Sequence, residues 1–169
     1  AAAAEALGTI GADNSEAVFA LISVVLSHNI PTVIAAAAEA LGTIGADNSE
    51  AVTALISVVL SHNIPTVCAA AAEALGKIGG DDAVTALISV MKNASSSTVR
   101  AAAVEALGAI GGDTAVTALA SALTGDVKDS SSSVRAVVAQ ALGAIGGDTA
   151  VTALASALTG DVKDSSSSV

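Results

Sequence analysis

Apolar side chains at Val99, Ala102, Ala103, Ala106, Leu107 and Ile110 follow the spacing i, i+3, i+4, i+7, i+8, i+11. That spacing lines one face of an α-helix. Beyond Gly111-Gly112, a second apolar stripe at Val116, Leu119, Ala120 and Leu123 predicts another helix against the same core. Thr117, Ser121 and Thr124 share its periodicity on a different face, which is polar but uncharged. Ser96 and Ser131, three residues before Val99 and Val134, are placed as N-caps, and Pro31 and Pro65 suit a first helical turn. Gly111-Gly112 is expected to stop the first helix in the left-handed conformation. The second helices are expected to open on Asp13, Asp47, Asp81, Asp113 and Asp148. There a negative charge suits the helix N-terminus, and Asp47-Asn-Ser-Glu50 has capping-box spacing.

This helix pair is one copy of a repeat. The string [EQ]-A-L-G-x-I-G begins at Glu5, Glu39, Glu73, Glu105 and Gln140, at spacings of 34, 34, 32 and 35 residues. Residues 1–34 and 35–68 differ only at Phe19/Thr53 and Ile34/Cys68, and residues 106–134 are identical to 141–169. Two block duplications with a shorter hybrid unit between them account for the pattern. A mid-helix glycine costs up to ~1 kcal/mol against alanine, so the recurrence of Gly108 in every copy predicts close helix–helix packing. No single pair buries both of its stripes, so stacked neighbours must supply the core. The expectation is an all-α fold: one α-solenoid domain of five helix–turn–helix repeats, 1–34, 35–68, 69–100, 101–135 and 136–169.

Composition narrows the function. The 169 residues carry 16 acidic side chains against 6 Lys plus Arg, a net charge of −10. An acidic chain with so few cations lacks the footprint that neutralises nucleic-acid phosphates. With 53% apolar types it is not a disordered chain, and its single cysteine excludes a disulfide framework or a cysteine-rich zinc module. The longest apolar run, Ala17 to Leu26, is ten residues, short of the roughly 20 a membrane span needs. With no basic n-region for a signal peptide, a cytoplasmic location is expected.

The run VRAAAVEALGAIGGDTAVTALASAL, from Val99 to Leu123, resembles the HEAT-like repeats named after phycobilisome lyases. The resemblance extends over essentially the whole chain. It implies a superhelical α-solenoid, and leaves activity open among protein-binding scaffolds, bilin lyases or chaperones, and sensor arrays. It also implies an Arg after the Val, paired with an acidic group. Arg100 and Arg135 match, whereas Ile34 and Cys68 stand in that slot at the two early junctions, which are expected to lack the polar link.

The residues available for chemistry favour bland roles. Iron-binding HEAT-like enzymes carry paired His-Glu dipeptides; His28 and His62 both stand in Ser-His-Asn-Ile-Pro, neither beside Glu. Cys68 reads as a small side chain filling the Arg slot rather than a nucleophile, Asp81-Asp82 as a helix start, and the serine runs at 95–97, 130–133 and 165–168 as loops and caps. The Gly-Gly-Asp turns lack the strand and Lys of a phosphate loop. No catalytic residue, metal or cofactor is expected.

A binding surface remains. The resemblance places the second helices on the concave side, which would align Phe19, Thr53, Ser57, Thr85, Ser89, Thr117, Ser121, Thr152 and Ser156 along one groove. Phe19 is the only aromatic residue in the chain. The expected function is a non-enzymatic scaffold for a protein partner with a neutral or basic surface, with no nucleic acid and no membrane span. The alternative, implied only by the resemblance, is a bilin lyase or chromophore-handling subunit for phycobiliproteins. An opening on AAAA and a close on Val169, one residue short of the recurring Val-Arg, suggest flanking repeats or domains of a longer array.

Overall fold

The computed structural model describes residues 1–10, 14–45, 48–124 and 128–166, with side chains through Thr159. Its ten helices are α1 (Ala2–Ile10), α2 (Ser15–Ser27), α3 (Pro31–Ile44), α4 (Ser49–Ser61), α5 (Pro65–Ile78), α6 (Asp81–Asn93), α7 (Ser97–Ile110), α8 (Gly112–Leu123), α9 (Ser132–Ile145) and α10 (Gly147–Ser166). The described residues contain no strand. Five helix pairs stack in order, so the all-α solenoid expected from the periodicity is the fold observed.

The helices form two rows. Odd-numbered helices stack on one another far more intimately than even-numbered ones do. Each even helix from α2 to α8 lies against the odd helix that follows it more extensively than against its own partner. Residue size explains the asymmetry: odd helices offer alanine and glycine, so their backbones meet. A Cβ placed on Gly42 would stand 2.7 Å from Ala74 Cα, and one on Gly108 would stand 2.9 Å from Ala141 Cβ. The close packing predicted from the repeated glycine is therefore the geometry of the odd row.

The core runs unbroken through the stack. Leu21, Leu41, Leu55, Leu75, Leu87, Leu107, Leu119 and Leu142 are fully buried, and Val99, Ala102, Ala103 and Ala106 lie buried beside Leu107 as their spacing predicted. Among the described residues no polar or charged one is buried. The core therefore pays no desolvation cost for ionic groups.

Helix ends depart from the sequence expectations in three ways. Asn14 and Asn48 cap α2 and α4, accepting hydrogen bonds from the Ala17 and Ala51 amides at 3.0 and 2.9 Å. Asp13 and Asp47 lie outside the described residues. Asp81 opens α6 as expected, and Asp113 and Asp148 follow the first residues of α8 and α10, so their charge acts on the exposed N–H groups. Gly111 has φ 69° and ψ −153°, and Gly112 has φ 82°. Positive φ with extended ψ is essentially a glycine-only region. It is not the left-handed helical stop that was expected, because the chain must reverse into α8 at once instead of winding a further turn. Ser96 occupies the N-cap position of α7 without a side-chain bond, whereas Ser131 accepts from the Val134 amide at 3.4 Å.

Identical sequence also takes two forms. From Gly112 and Gly147 onward the residues are the same, yet α8 ends at Leu123 while α10 runs to Ser166. In the α8–α9 connection the Asp129 amide donates to the Ala122 carbonyl at 2.9 Å and its carboxylate binds Arg100. Tertiary bonds there decide against local helix propensity.

Candidate functional site

The residues expected to line a groove do share one face. Phe19, Thr53, Thr85, Thr117 and Thr152 hold equivalent places on α2, α4, α6, α8 and α10, and all are exposed. Ser57 and Ser156 are exposed beside them, and Ser89 and Ser121 half-buried. Several of the hydroxyls are already engaged within their own helices. Thr53 Oγ1 donates to the Ser49 carbonyl at 2.8 Å, Thr152 Oγ1 to that of Asp148 at 2.8 Å, and Ser121 Oγ to that of Ala118 at 2.7 Å. The polar stripe thus offers methyl groups and acceptor lone pairs more than unspent donors.

The sequence reading missed an apolar stripe on this face. Phe19 is 68% exposed, and Leu26 and Leu60 are 56% and 54% exposed. Half-buried Ile22 and Ile56 flank them. Phe19, Ile22 and Leu26 fall at i, i+3 and i+7, as do Thr53, Ile56 and Leu60. Farther along, the equivalent residues become Ile88 and Lys92, then Ala120 and Thr124, then Ala155 and Thr159. The face therefore grades from apolar over α2 and α4 to polar over α8 and α10. The signal was present in AVFALISVVL: Val18, Leu21 and Val25 satisfy the core, and the remaining large apolar residues of that run have to point elsewhere.

Charge is unevenly divided across the width of the array, although Lys77 joins the acidic edge at the end of α5 and Asp129 the other edge. Glu16, Glu50, Asp81, Asp82, Asp113 and Asp148 lie in the first turns of the even helices, along the edge of the intra-repeat turns. The opposite edge, where one repeat connects to the next, carries His28, His62, Lys92, Arg100, Lys128 and Arg135.

On that second edge Arg100 makes the acidic pairing that the resemblance implied, and Arg135 holds backbone carbonyls. Arg100 Nε and Nη2 reach Asp129 Oδ2 and Oδ1 at 2.7 and 3.0 Å, while its Nη1 donates to the carbonyls of Ala94 and Ser95. Arg135 Nη1 binds the carbonyls of Asp129 and Ser130 in the same manner. The hydrogen bond from Arg100 holds the Asp129 carboxyl below its ordinary value, helped by the Ser131 amide and opposed by burial. The same bond raises Arg100. A shallow hollow of about 510 Å³ adjoins the pair, lined in part by Met91, Asn93, Ser121 and Lys128.

Where Arg is replaced, the polar link goes. Ile34 is buried in the core. Cys68 is buried too, its Sγ 3.1 Å from the His62 carbonyl six residues back, the relation Arg135 Nη1 holds to the Asp129 carbonyl. Burial pushes its thiol up, opposite to the activation a nucleophile needs. His28 and His62 each accept, through Nδ1, the amide two residues on, Ile30 or Ile64, at 3.1 Å, which fixes the turn into the next helix. Among the described residues, no three His, Cys, Asp or Glu side chains converge as metal ligands, and no helix is long and apolar enough to cross a membrane.

The HEAT repeats family matches residues 21–108, 52–129 and 93–166. No curated protein matches the chain in sequence. Among solved structures, human deoxyhypusine hydroxylase in complex with glycerol is similar over 89% of this chain and 69% of its own, with a TM-score of 0.50 and 23% identity. A likeness at that identity concerns the fold alone.

Proposed function

Because the chain belongs to the HEAT-repeat family, we propose that it is a non-enzymatic scaffold that recognises a protein partner along the exposed face of its even helices. One observation carries this reading: Phe19, Leu26 and Leu60 present large apolar side chains to solvent, in register on neighbouring helices. Exposed apolar side chains clustered in this way mark interaction surfaces. Extended repeat surfaces are how solenoids bind. The stripe runs from Phe19, one turn from Glu16, to Leu26, two residues from His28, and with the chain's net charge of −10 this favours a partner that pairs an apolar anchor with neutral or basic flanks. Within the family, the VRAAAVEALG pattern of α7 speaks for the repeat type of the phycobilisome lyases.

Site-specific photo-crosslinking tests the reading. Probes at positions 19, 53 and 85 should capture the partner, and a probe at Glu73, exposed on the odd row, should not. Binding should weaken as salt rises, because exposed charges are screened beyond about 10 Å at 0.1 M. Capture only from the odd row would overturn the choice of face. Formation of a thioether adduct between a bilin and an apo-antenna subunit would overturn the non-enzymatic reading in favour of a lyase.

A further inference from the structure

The exposure of the even face belongs to the array and not to its first repeat. Leu60, on the interior helix α4, is 54% exposed against 56% for Leu26, and Thr53, Thr85 and Thr117 on interior helices are exposed like Phe19. Three residues beyond Phe19, Thr53 and Thr85 come Ile22, Ile56 and Ile88, each half-buried. Neighbouring even helices touch, and packed helices lie about 8–10 Å apart. The isoleucines therefore form an apolar line across α2, α4 and α6. Phe19, Leu26 and Leu60 widen that line into a patch that extends about 10 Å along each of the first two helices.

Charge borders the patch unequally. One turn before Phe19, Thr53 and Thr85 stand Glu16, Glu50 and Asp82, all exposed. On the far side the border is His28 and His62. On α6 the place of Leu26 and Leu60 is taken by Lys92, also exposed. The apolar line thus has an acidic row along one side and a cation at its α6 end.

We propose that the occupant of this patch is an amphipathic helix of a partner protein, laid across α2, α4 and α6. Its basic residues face Glu16, Glu50 and Asp82, and its acidic C-terminal end reaches Lys92. The proposal rests on the even row being the recognition face. Spacing selects a helix. In an extended strand, side chains on one face recur at about 6.6 Å, out of step with helices about 8–10 Å apart. In a helix, positions seven apart recur at about 10.5 Å, one to each even helix, and those three or four apart fall between them. Charge selects the flanks and the direction. The acidic row pairs with lysine or arginine, and the negative end of a helix dipole suits Lys92. The same row repels an anionic lipid surface.

The probe is a synthetic fluorescent peptide of about three heptads, long enough to cross three helices. It carries leucine at the a and d positions, lysine flanking them and glutamate in the last turn. Anisotropy should show saturable binding, and circular dichroism a gain of helix on mixing. Leu60→Ser and Lys92→Glu change exposed side chains, so both variants should keep their own helical signal. Leu60→Ser should weaken binding at least about tenfold. Lys92→Glu should weaken it about threefold, and should favour by a similar factor a peptide with lysine in its last turn. Absence of saturable binding would overturn the proposal. So would equal binding of a peptide with proline in its central heptad, or an unchanged preference when position 92 is reversed. Each of these failures leaves the choice of face standing when probes at positions 19, 53 and 85 still crosslink to the partner. Capture from the odd row alone removes both.

Discussion

Arg100 and Asp129, 29 residues apart, meet across a repeat junction in a two-point ion pair, Nε to Oδ2 at 2.7 Å and Nη2 to Oδ1 at 3.0 Å. The two side chains retain only 12% and 6% of their exposure, so water screens the pair little. Removing one partner leaves the other charge and several hydrogen bonds unmet. Asp129→Ala should cost about 1.5–3 kcal/mol, the range for hydrogen bonds to charged groups. Urea denaturation measures the loss; a midpoint equal to that of the native chain would show the pair to be energetically idle.

Acid should weaken this junction. The Asp129 carboxyl is held below its ordinary value, chiefly by the Arg100 hydrogen bond. A depressed carboxyl contributes stability that is complete above the unfolded-state value of about 3.9 and is lost as pH falls through the lowered one. Below about pH 4, Asp129→Asn should therefore lose stability less steeply than the native chain. Parallel stability curves for the two proteins in that range would contradict the assignment.

Two glycines at equivalent places should respond to alanine with opposite signs. At Gly42 a Cβ would stand 2.7 Å from the Ala74 backbone, so Gly42→Ala forces the odd row apart and should destabilise by about 1–3 kcal/mol. At Gly143 there is open space, and Gly143→Ala should stabilise the chain by up to ~1 kcal/mol through helix propensity. Thermal melts at low protein concentration compare the two, and a shared sign would refute the close-approach account.

Leu107 is fully buried on α7. Leu107→Ala should cost roughly 2–5 kcal/mol, from lost burial and the cavity left behind. A loss below about 1 kcal/mol in chemical denaturation would mean that the core relaxes around the site.

Phe19→Ala should separate binding from stability. The side chain is 68% exposed, so unfolding should shift by no more than about 0.5 kcal/mol. Partner affinity should fall at least about tenfold, the measure of an anchor residue. The reverse outcome, a destabilised chain with intact binding, would make Phe19 a packing residue.

How far each feature was legible depends on whether it is local. The helix pairs and the buried faces followed from period alone, since Val99, Ala103 and Leu107 are placed by spacing within one helix. The Gly108–Ala141 approach was readable as a recurring helical glycine because its cost demanded a compensating contact. Asp129 as the acceptor for Arg100 was not readable. DVKDSSSS offers two acids, and the choice between them rests on a contact between connections far apart in sequence. The exposed stripe at Leu26 and Leu60 was missed for another reason. Apolar residues beyond the first core stripe pass for more core until packing shows which face the neighbouring repeat covers.

The contrast between the rows also sets how the array responds to force. Odd helices approach closely at Gly42 and Ala74, where no side chain longer than a methyl group intervenes. Even helices touch more sparsely. A bending load should find the odd row acting as an inextensible spine and the even row as the compliant layer. The spacing between neighbours such as Phe19 and Thr53 would then open and close while the Gly–Ala contacts hold their distance. An array built this way can change the pitch of its even row without unfolding.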